Sequence, residues 1–334
     1  MDDNPPSHQK ILIIRLSSIG DVVLTTPVIR ALKLQKPDAE IHFLIKKEFA
    51  PVLEYNPYIS KIHYFTGSVT AAVNELKPEH FDFIVDLQKN VRSRKIVRRL
   101  GAASATYNKH NFKKWVLVRL KINFLPNSHI VDRYFEAVKP LGVTNDGKGL
   151  DFFIPENKSF NEDDLPAVFE NGFVAVSLGA AHATKRIPVE KIVEIGRILY
   201  KPMMLLGGQD VFAEGEEIVA QLGERAYNGC GKFSLFESAS IIQRSACLLT
   251  GDTGLMHIGA ALKVPIASLW GNTVPEFGMY PYMSSDRFRI FEVCPLRCRP
   301  CSKLGYKKCP KKHFNCMNLI PATEVAEWIN QFEE

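Results

Sequence analysis

The sequence predicts an α/β protein made of two successive doubly wound domains. Short apolar runs alternate with segments whose apolar residues recur at helical spacing, which is typical of a parallel sheet covered by helices on both faces. The same alternation restarts after a polar, turn-rich stretch at 142–164. A length of 334 residues fits two domains of ordinary size.

In the first half, runs rich in Ile, Val and Phe predict buried strands. These are KILIIRL (10–16), EIHFLI (40–45), KIHYF (61–65) and FDFIVDLQ (81–88). The predicted helices between and after them are 22–35, 69–76 and 91–101, with further helix over 111–141.

In the second half, the predicted strands are 173–180, 202–208, 247–253 and 265–271. The predicted helices are 188–199, 211–222, 234–246, 254–262 and an amphipathic C-terminal helix at 322–332. We therefore expect one domain over 1–155, a second over 156–320 that carries a cysteine-rich loop at 294–317, and a C-terminal helix within 321–334.

Composition excludes several classes of protein. No apolar stretch reaches the roughly 20 residues that span a bilayer, and the N-terminus lacks the pattern of a secretory signal. The expected location is cytoplasmic, with membrane contact at most peripheral and through basic residues. A net charge of +6 is modest, and no basic stripe is interleaved with aromatic residues, so nucleic acid is not expected as a partner.

The loop after the first strand is the first candidate for ligand binding, because ligands of parallel sheets bind beyond the carboxyl ends of the strands. Ser18 and Gly20 are small enough to let a ligand approach the backbone, and Asp21 lies at the start of the next helix. Asp21 is then either a catalytic base or only a helix cap.

Two loops of the second half have the same position in the predicted pattern. In the first, Thr184 and Lys185 are suited to phosphate, although a solvated surface lysine is the alternative. In the second, Asp252–Gly254 open a helix whose N-terminus suits a diphosphate. His257, one turn further, belongs either to this site or to the packed helix. No dinucleotide fingerprint, P-loop or G-x-S-x-G motif is present.

Several motifs occur together in one order along the chain. They are RLSSIGDVVLTTPVIRALK near the start, DLQKNVRSR in the middle, KRIP at 185–188, and GDTGLMHIGAAL with WGNT near the end. In this combination the chain resembles the lipopolysaccharide heptosyltransferases of glycosyltransferase family nine.

The resemblance implies the GT-B architecture, in which two Rossmann-like domains face a central cleft. The first domain would bind the acceptor and the second the nucleotide sugar. It also implies an inverting, metal-independent transfer from ADP-heptose to the lipopolysaccharide inner core, with no cofactor needed for catalysis. The family's general base falls on Asp21 and its phosphate-binding lysine on Lys185. Its donor-binding loop falls on Asp252, Thr253, Gly254 and His257.

The acceptor of such an enzyme is anionic, and the fourth strand is followed by a basic helix. Arg92, Arg94 and Lys95 are candidates for contacting its phosphates and carboxylates, the alternative being a solvated helix face. Two other functions stay open. One is a GT-B transferase with a different nucleotide sugar, and the other is a non-catalytic protein that binds a nucleotide or sugar.

Five of the seven cysteines lie in 293–317. Clustered thiols without an export signal predict a structural zinc site, with ligands Cys298, Cys301, Cys309 and either Cys316 or His313. Unbound thiols, or disulfides formed after purification, are the alternative.

Overall fold

A computed structural model describes residues 9–161 and 167–332 and divides the chain into two compact units. Unit 1 comprises Met1–Lys109 and Ser128–Phe153, and unit 2 comprises His110–Asn127 and Ile154–Glu334. The sequence places one boundary at 155 and leaves 110–127 in the first domain. The structure differs there because Leu117 packs with Val274 and Phe277 in a small apolar cluster of unit 2.

The strands alternate with helices as expected. The strands are β1 (Lys10–Ile14), β2 (Glu40–Ile45), β3 (Lys61–Tyr64), β4 (Phe83–Asp86), β5 (Ala103–Thr106), β6 (Val174–Ser177), β7 (Met203–Leu206), β8 (Ala226–Asn228), β9 (Cys247–Thr250), β10 (Ile266–Trp270) and β11 (Phe288–Glu292). The α-helices are α1 (Ile19–Val23), α2 (Thr26–Gln35), α3 (Val69–Leu76), α4 (Val91–Leu100), α5 (Asn111–Leu120), α6 (Ile130–Phe135), α7 (Val189–Gly196), α8 (Phe212–Leu222), α9 (Leu235–Arg244), α10 (Gly254–Ala261), α11 (Asn315–Asn318) and α12 (Ala322–Ile329).

Each unit contains one parallel sheet of the doubly wound type. In the described part of unit 1 the strand order is β3-β2-β1-β4-β5, and in that of unit 2 it is β11-β10-β9-β6-β7-β8. The second order is that of the six-stranded Rossmann sheet. In both sheets the chain leaves the first strand towards one edge and returns beside it to build the other edge. The first strand and its later neighbour therefore flank a switch point, β1 with β4 and β6 with β9.

The predicted helix over 22–35 is two helices in the structure. α1 ends at Val23, and α2 begins at Thr26 with Pro27 in its first turn. Proline lacks the N–H that a helix interior needs but is tolerated in a first turn, so the helix restarts there. The hydroxyl of Thr25 donates to the carbonyl of Val22 at 2.7 Å at this junction.

Three strands have no counterpart in the apolar runs of the sequence: β5, β8 and β11. All three are edge strands of their sheets. β5 is mostly exposed, β8 has three residues and β11 has one buried residue out of five. An edge strand buries less apolar surface than a central one, so its sequence lacks the continuous apolar run that identifies β1 or β9.

The C-terminal helix α12 completes the core of unit 2. Val325, Trp328 and Ile329 join the apolar cluster that includes β6, β7 and β9. Among the residues that the structure describes, no helix combines the length and apolar character that crossing a bilayer requires.

Candidate functional site

The two switch points gather the loops that the sequence singles out. Asp21 follows β1, and Arg92 and Arg94 follow β4, its neighbour in the sheet of unit 1. Lys185 follows β6, and Asp252 follows the adjacent β9 in unit 2. In open parallel sheets this is where ligands bind.

The Asp21 carboxylate is held at both oxygens. Oδ1 lies 2.5 Å from a terminal nitrogen of the Arg15 guanidinium. Oδ2 accepts hydrogen bonds from the Ser18 hydroxyl at 3.0 Å and the Ser18 N–H at 3.3 Å, within a capping box at the start of α1. The side chain is still 26% exposed. Asp21 is therefore the third residue of the capping box and also a fixed carboxylate that is partly open to solvent, so its geometry is compatible with both interpretations of the sequence.

Arg15 positions this carboxylate from inside the unit. It is buried at the end of β1, and its Nε donates to the carbonyl of Ser17 at 2.8 Å. One terminal nitrogen donates to the carbonyl of Leu87 at 2.7 Å and to the Tyr134 hydroxyl at 3.1 Å. Burial alone would lower the pKa of Arg15, but the Asp21 carboxylate together with Tyr134 and Tyr107 more than offsets it, so the pKa is raised and the cation is permanent.

Sequence reasoning missed Lys109. Burial and the positive charge of Arg15 lower its pKa to about 8, against the opposing attraction of Asp21 and Asp86. Its Nζ donates to the carbonyl of Gln88 at 2.5 Å, in the loop that follows β4. No local motif marks a lysine that comes after an edge strand, so only the folded structure shows that it is in the electrostatic field of Asp21.

The predicted acceptor residues differ in exposure. Ser18 is exposed, whereas Gly20 is buried within α1. Arg92 and Arg94 are exposed on α4, whose N-cap Asn90 accepts a hydrogen bond from the Ser93 N–H. Both arginines are thus accessible on a strongly basic helix that follows β4, but residues two apart point to different sides of that helix.

Lys185 and Asp252 form an ion pair, with Nζ 2.5 Å from Oδ2 and both side chains less than one-fifth exposed. The same Oδ2 accepts a hydrogen bond from the Thr273 hydroxyl at 3.0 Å. Gly251 makes the close approach of the two loops possible, because a Cβ there would lie 2.4 Å from the carbonyl oxygen of Lys185. The two candidates for phosphate and donor binding therefore meet at the β6/β9 switch point.

The helix after Asp252 begins as expected. Thr253 is the N-cap of α10, and its hydroxyl accepts a hydrogen bond from the Met256 N–H at 3.3 Å. Gly254 is the first helical residue, so its N–H belongs to the turn that lacks intrahelical acceptors. His257 is buried in the body of α10. This agrees with the interpretation of His257 as a packed helix residue.

Thr184 is buried rather than presented to a ligand. Its hydroxyl accepts a hydrogen bond from the Tyr306 N–H at 2.8 Å and lies 3.2 Å from the Tyr306 carbonyl, which also accepts from the Thr184 N–H. The threonine next to Lys185 is thus occupied in joining the lysine loop to the cysteine-rich segment.

Two groups of side chains have metal-ligand chemistry. All seven cysteines are free thiols, among them the four predicted ligands at 298, 301, 309 and 316. In the described part of the chain, His42, His63 and Glu79 place possible ligand atoms within 4.8 Å of one another, whereas no three of the four predicted cysteine ligands do. There, however, the two imidazoles contact each other at 3.0 Å and Glu79 pairs with Lys61, so this group is already satisfied without an ion.

Comparisons with known proteins agree with this architecture. The chain is 26% identical over 281 residues to lipopolysaccharide heptosyltransferase 3 of Escherichia coli K12, covering 76% of this chain and 80% of that protein. The solved structure of a family 9 glycosyltransferase from Veillonella parvula superposes with a TM-score of 0.75 at 23% identity, covering 98% and 97% of the two chains.

A structure of the E. coli heptosyltransferase WaaC with ADP gives a TM-score of 0.67 at 19% identity, covering 97% and 99%. These likenesses confirm the predicted fold class, two parallel-sheet α/β domains of the GT-B type. The family model described as glycosyltransferase family 9 (heptosyltransferase) matches residues 69–314, well over half of the chain. The chain therefore belongs to glycosyltransferase family 9 and is a glycosyltransferase enzyme.

Proposed function

We propose that this enzyme transfers heptose from ADP-heptose to the lipopolysaccharide inner core, with inversion at the anomeric carbon and without a divalent metal. The observation that carries the proposal is the division of charge between two switch points. Unit 1 presents the fixed carboxylate of Asp21, and unit 2 presents the ammonium of Lys185 beside the start of α10. A base and a cationic leaving-group site are what an inverting transfer from a diphosphate donor needs.

The proposed reaction is one displacement. The acceptor hydroxyl attacks the anomeric carbon on the face opposite the diphosphate, and its proton passes to the carboxylate of Asp21 as the new C–O bond forms. The bond from the anomeric carbon to the diphosphate oxygen breaks, and its electron pair leaves with ADP. Lys185 and the N–H groups at the start of α10 stabilise the charge that develops on the diphosphate.

Asp252 has a positioning role in this scheme. Its carboxylate holds the ammonium of Lys185 directly before the N-cap of α10, and Thr273 fixes the carboxylate in turn. A diphosphate that binds at this helix start competes with Asp252 for the lysine, so Lys185 needs no large movement to reach it. With Thr253 and Gly254 these residues form the proposed donor site. His257 supports it through the packing of α10.

The proposed acceptor site combines Ser18, Gly20, Arg92 and Arg94 with Lys109. Lys109 extends the positive potential of α4 towards Asp21, since its charge interacts with that carboxylate and with Arg15. An anionic inner core would be attracted by this surface, and the acceptor hydroxyl would then be deprotonated by Asp21.

The same comparisons support ADP as the donor nucleotide, since the related WaaC structure was solved with ADP. Another nucleotide sugar would leave the chemistry of Asp21 and Lys185 unchanged and would alter only the contacts to the base and sugar.

We further propose that the enzyme works in the cytoplasm and that α5 with the segment after it touches the inner face of an anionic membrane. Phe112 and Trp115 lie on one face of α5, 75% and 47% exposed, with their rings stacked at 6.1 Å. Leu120, Ile122 and Phe124 are exposed as well. The cations Lys113, Arg119 and Lys121 are interspersed among them and exposed. Aromatic rings flanked by basic residues are suited to the interface of an anionic bilayer.

Asp21→Asn should lower the turnover number by about a hundredfold or more, the usual effect of losing a general base. An amide can still cap α1 but cannot accept the proton, so ADP affinity should stay within about twofold of wild type. Release of ADP from ADP-heptose in the presence of an inner-core acceptor measures turnover, and calorimetry measures ADP binding. Asp82→Asn is the matched control, since the Asp82 carboxylate accepts a hydrogen bond from the N–H of Lys10 at the opposite end of β1. Equal turnover in Asp21→Asn and wild type would show that Asp21 is not the base.

ADP should bind more tightly than UDP or GDP in calorimetry without added divalent metal. Lys185→Met should weaken ADP binding roughly tenfold to hundredfold, because a hydrogen bond to a charged group contributes roughly 1.5–3 kcal/mol. Lys263→Met is the control, an exposed lysine just beyond the opposite end of α10. Unchanged ADP affinity in Lys185→Met would contradict the phosphate assignment. Tighter binding of UDP or GDP would indicate that the enzyme uses a different nucleotide sugar as its donor.

The KM for an anionic acceptor should rise between about pH 7.5 and pH 9. Lys109, with its pKa lowered to about 8, is charged below that pH and loses its charge above it. Lys109→Met should already have the high KM at pH 7 and show no further rise, while the KM for ADP-heptose is unaffected. Lys77→Met, an exposed lysine of the same unit, serves as control. If the rise of KM with pH is the same in Lys109→Met as in wild type, the titrating group is not Lys109.

Phe112→Ser/Trp115→Ser should reduce binding to vesicles that contain phosphatidylglycerol severalfold, as measured by co-sedimentation. Activity on a water-soluble acceptor should be unchanged, because neither residue belongs to the proposed chemistry. Tyr200→Ser is the control, an aromatic residue outside α5 that is 79% exposed in the same unit. Vesicle binding that is the same in all three proteins, or that is equally strong with neutral phosphatidylcholine, would contradict the assigned surface.

A further inference from the structure

The segment between β11 and α11, residues 293–314, is described throughout and contains neither helix nor strand. Irregular segments of this length are uncommon inside compact domains and are usually functional. The charge of this one is of a single sign, because it contains seven Lys or Arg residues and no Asp or Glu. Neighbouring like charges repel one another until an anion approaches them, so the composition of the segment favours an anionic partner.

Most of these cations are accessible. The Arg299 guanidinium pairs with Glu292 at 2.5 Å, and the Lys303 ammonium donates to the carbonyl of Asn111 at 3.0 Å. The other five are exposed, namely Arg297, Lys307, Lys308, Lys311 and Lys312. One short stretch of chain therefore presents five positive charges to solvent.

The segment lies along α5, the helix that we propose touches the membrane. Near the end of α5, the Lys121 ammonium donates to the carbonyl of Pro300 at 2.6 Å. At the start of α5, the carbonyl of Asn111 accepts the hydrogen bond from Lys303. Both ends of the helix are thus joined to the segment, and both elements belong to unit 2.

Exposed apolar side chains accompany the cations on both elements. Leu304 directly follows Lys303 and is 67% exposed, and Phe112 directly follows Asn111 and is 75% exposed. The ring of Trp115 stacks on that of Phe112. Apolar and aromatic side chains interspersed with Lys and Arg favour the interface of an anionic bilayer over a nucleic-acid backbone, because the backbone offers charge but no apolar layer.

The same segment supports two loops of the proposed donor site, one at Thr184 and one at Gly271, which we call the donor loops. Arg299 donates to the carbonyl of Gly271 at 2.6 Å. The N–H of Tyr306 donates to the hydroxyl of Thr184 at 2.8 Å. Exposed cations stand close to both contacts in the chain, at 297 and at 307 and 308. A partner that restrains these cations therefore also restrains the support of the donor loops.

We propose that segment 293–314 and α5 form one membrane-binding surface, in which the segment binds anionic phospholipid headgroups, and that this binding strengthens nucleotide binding at the donor loops. Headgroups that hold the cations remove conformational freedom from the segment before the nucleotide arrives, so the nucleotide has less disorder to overcome. By linkage, the nucleotide strengthens membrane binding by the same factor. The coupling rests on the proposed function, whereas the binding of headgroups does not.

The segment variant Lys307→Gln/Lys308→Gln/Lys311→Gln/Lys312→Gln tests the surface in co-sedimentation with vesicles that contain phosphatidylglycerol. Its affinity for these vesicles should be lower than that of wild type by about fiftyfold or more at about 0.1 M salt, since each cation at an anionic leaflet contributes roughly fivefold. The control Lys47→Gln/Lys77→Gln/Lys139→Gln/Lys148→Gln removes the same charge from exposed lysines of unit 1 and should bind nearly as well as wild type.

Three results would overturn the surface. The first is an equal loss of vesicle binding in both variants, and the second is no loss in the segment variant. The third is normal vesicle binding of the segment variant with a raised KM for a water-soluble phosphorylated acceptor, which would assign the cations to the acceptor site.

Salt provides a test that depends on no variant. The affinity of wild type for the same vesicles should fall steeply between about 0.1 M and about 0.5 M salt, because salt screens exposed charges. Phe112→Ser/Trp115→Ser should keep this salt dependence, and the segment variant should lose most of it. Vesicle binding of wild type that does not depend on salt would contradict the role of the cations.

Calorimetry tests the coupling. ADP should bind wild type severalfold more tightly with phosphatidylglycerol vesicles than with phosphatidylcholine vesicles. The segment variant should have wild-type affinity for ADP without vesicles and should show no gain with either kind. Equal ADP affinity of wild type with both kinds of vesicle would contradict the coupling. Absence of ADP binding by wild type under every condition would instead count against the proposed function.

Discussion

The burial of Arg15 is the constraint on which unit 1 depends. A guanidinium taken out of water is unfavourable unless its donors are satisfied, and at the carboxyl end of β1 the partners are two carbonyls, one phenol and one carboxylate. These partners come from the loop and helix after β1, from the residue after β4 and from α6, so one side chain connects three parts of the unit. Asp21 is the only partner in that set with a negative charge. Its place is therefore set by the fold before any acceptor binds, which is the preorganisation that a general base requires.

Unit 2 also holds an ion pair at its switch point, but there the cation, Lys185, is the group placed to bind an anion. Lys185 and Asp252 come from loops on either side of the switch point, and Gly251 removes the side chain that would keep those loops apart. A lysine paired to an aspartate is held without being buried so deeply that a ligand cannot reach it. Arg15 of unit 1 is buried with its partners and keeps them. Lys185 of unit 2 can instead exchange the carboxylate of Asp252 for the phosphate of a ligand. This difference matches the proposed roles, a fixed base in one unit and an anion site in the other.

The central strands and the loops at their carboxyl ends were predictable from the sequence, because a strand buried on both faces must be an apolar run and parallel topology then locates its loops. Asp21, Lys185 and Asp252 all follow such runs. Lys109 was not predictable, since its pKa depends on Arg15, which is 94 residues away in the chain. The hydrogen bonds between Thr184 and Tyr306 could not be predicted for the same reason. They show that Thr184 supports its own loop, whereas the sequence predicts it as a ligand-binding residue. The placement of 110–127 in unit 2 rests on the packing of Leu117, which helical periodicity alone does not reveal.

The cysteine-rich segment shows that the proposed donor site depends on more than the sheet of unit 2. Helices and strands position Asp21, and α10 positions the residues after β9, but the lysine loop leans on a stretch without regular structure. Backbone hydrogen bonds such as those of Tyr306 and Arg299 fix individual points of that stretch and not its overall course. The position of the lysine loop, and with it the proposed donor site, therefore depends on these few contacts as well as on the sheet.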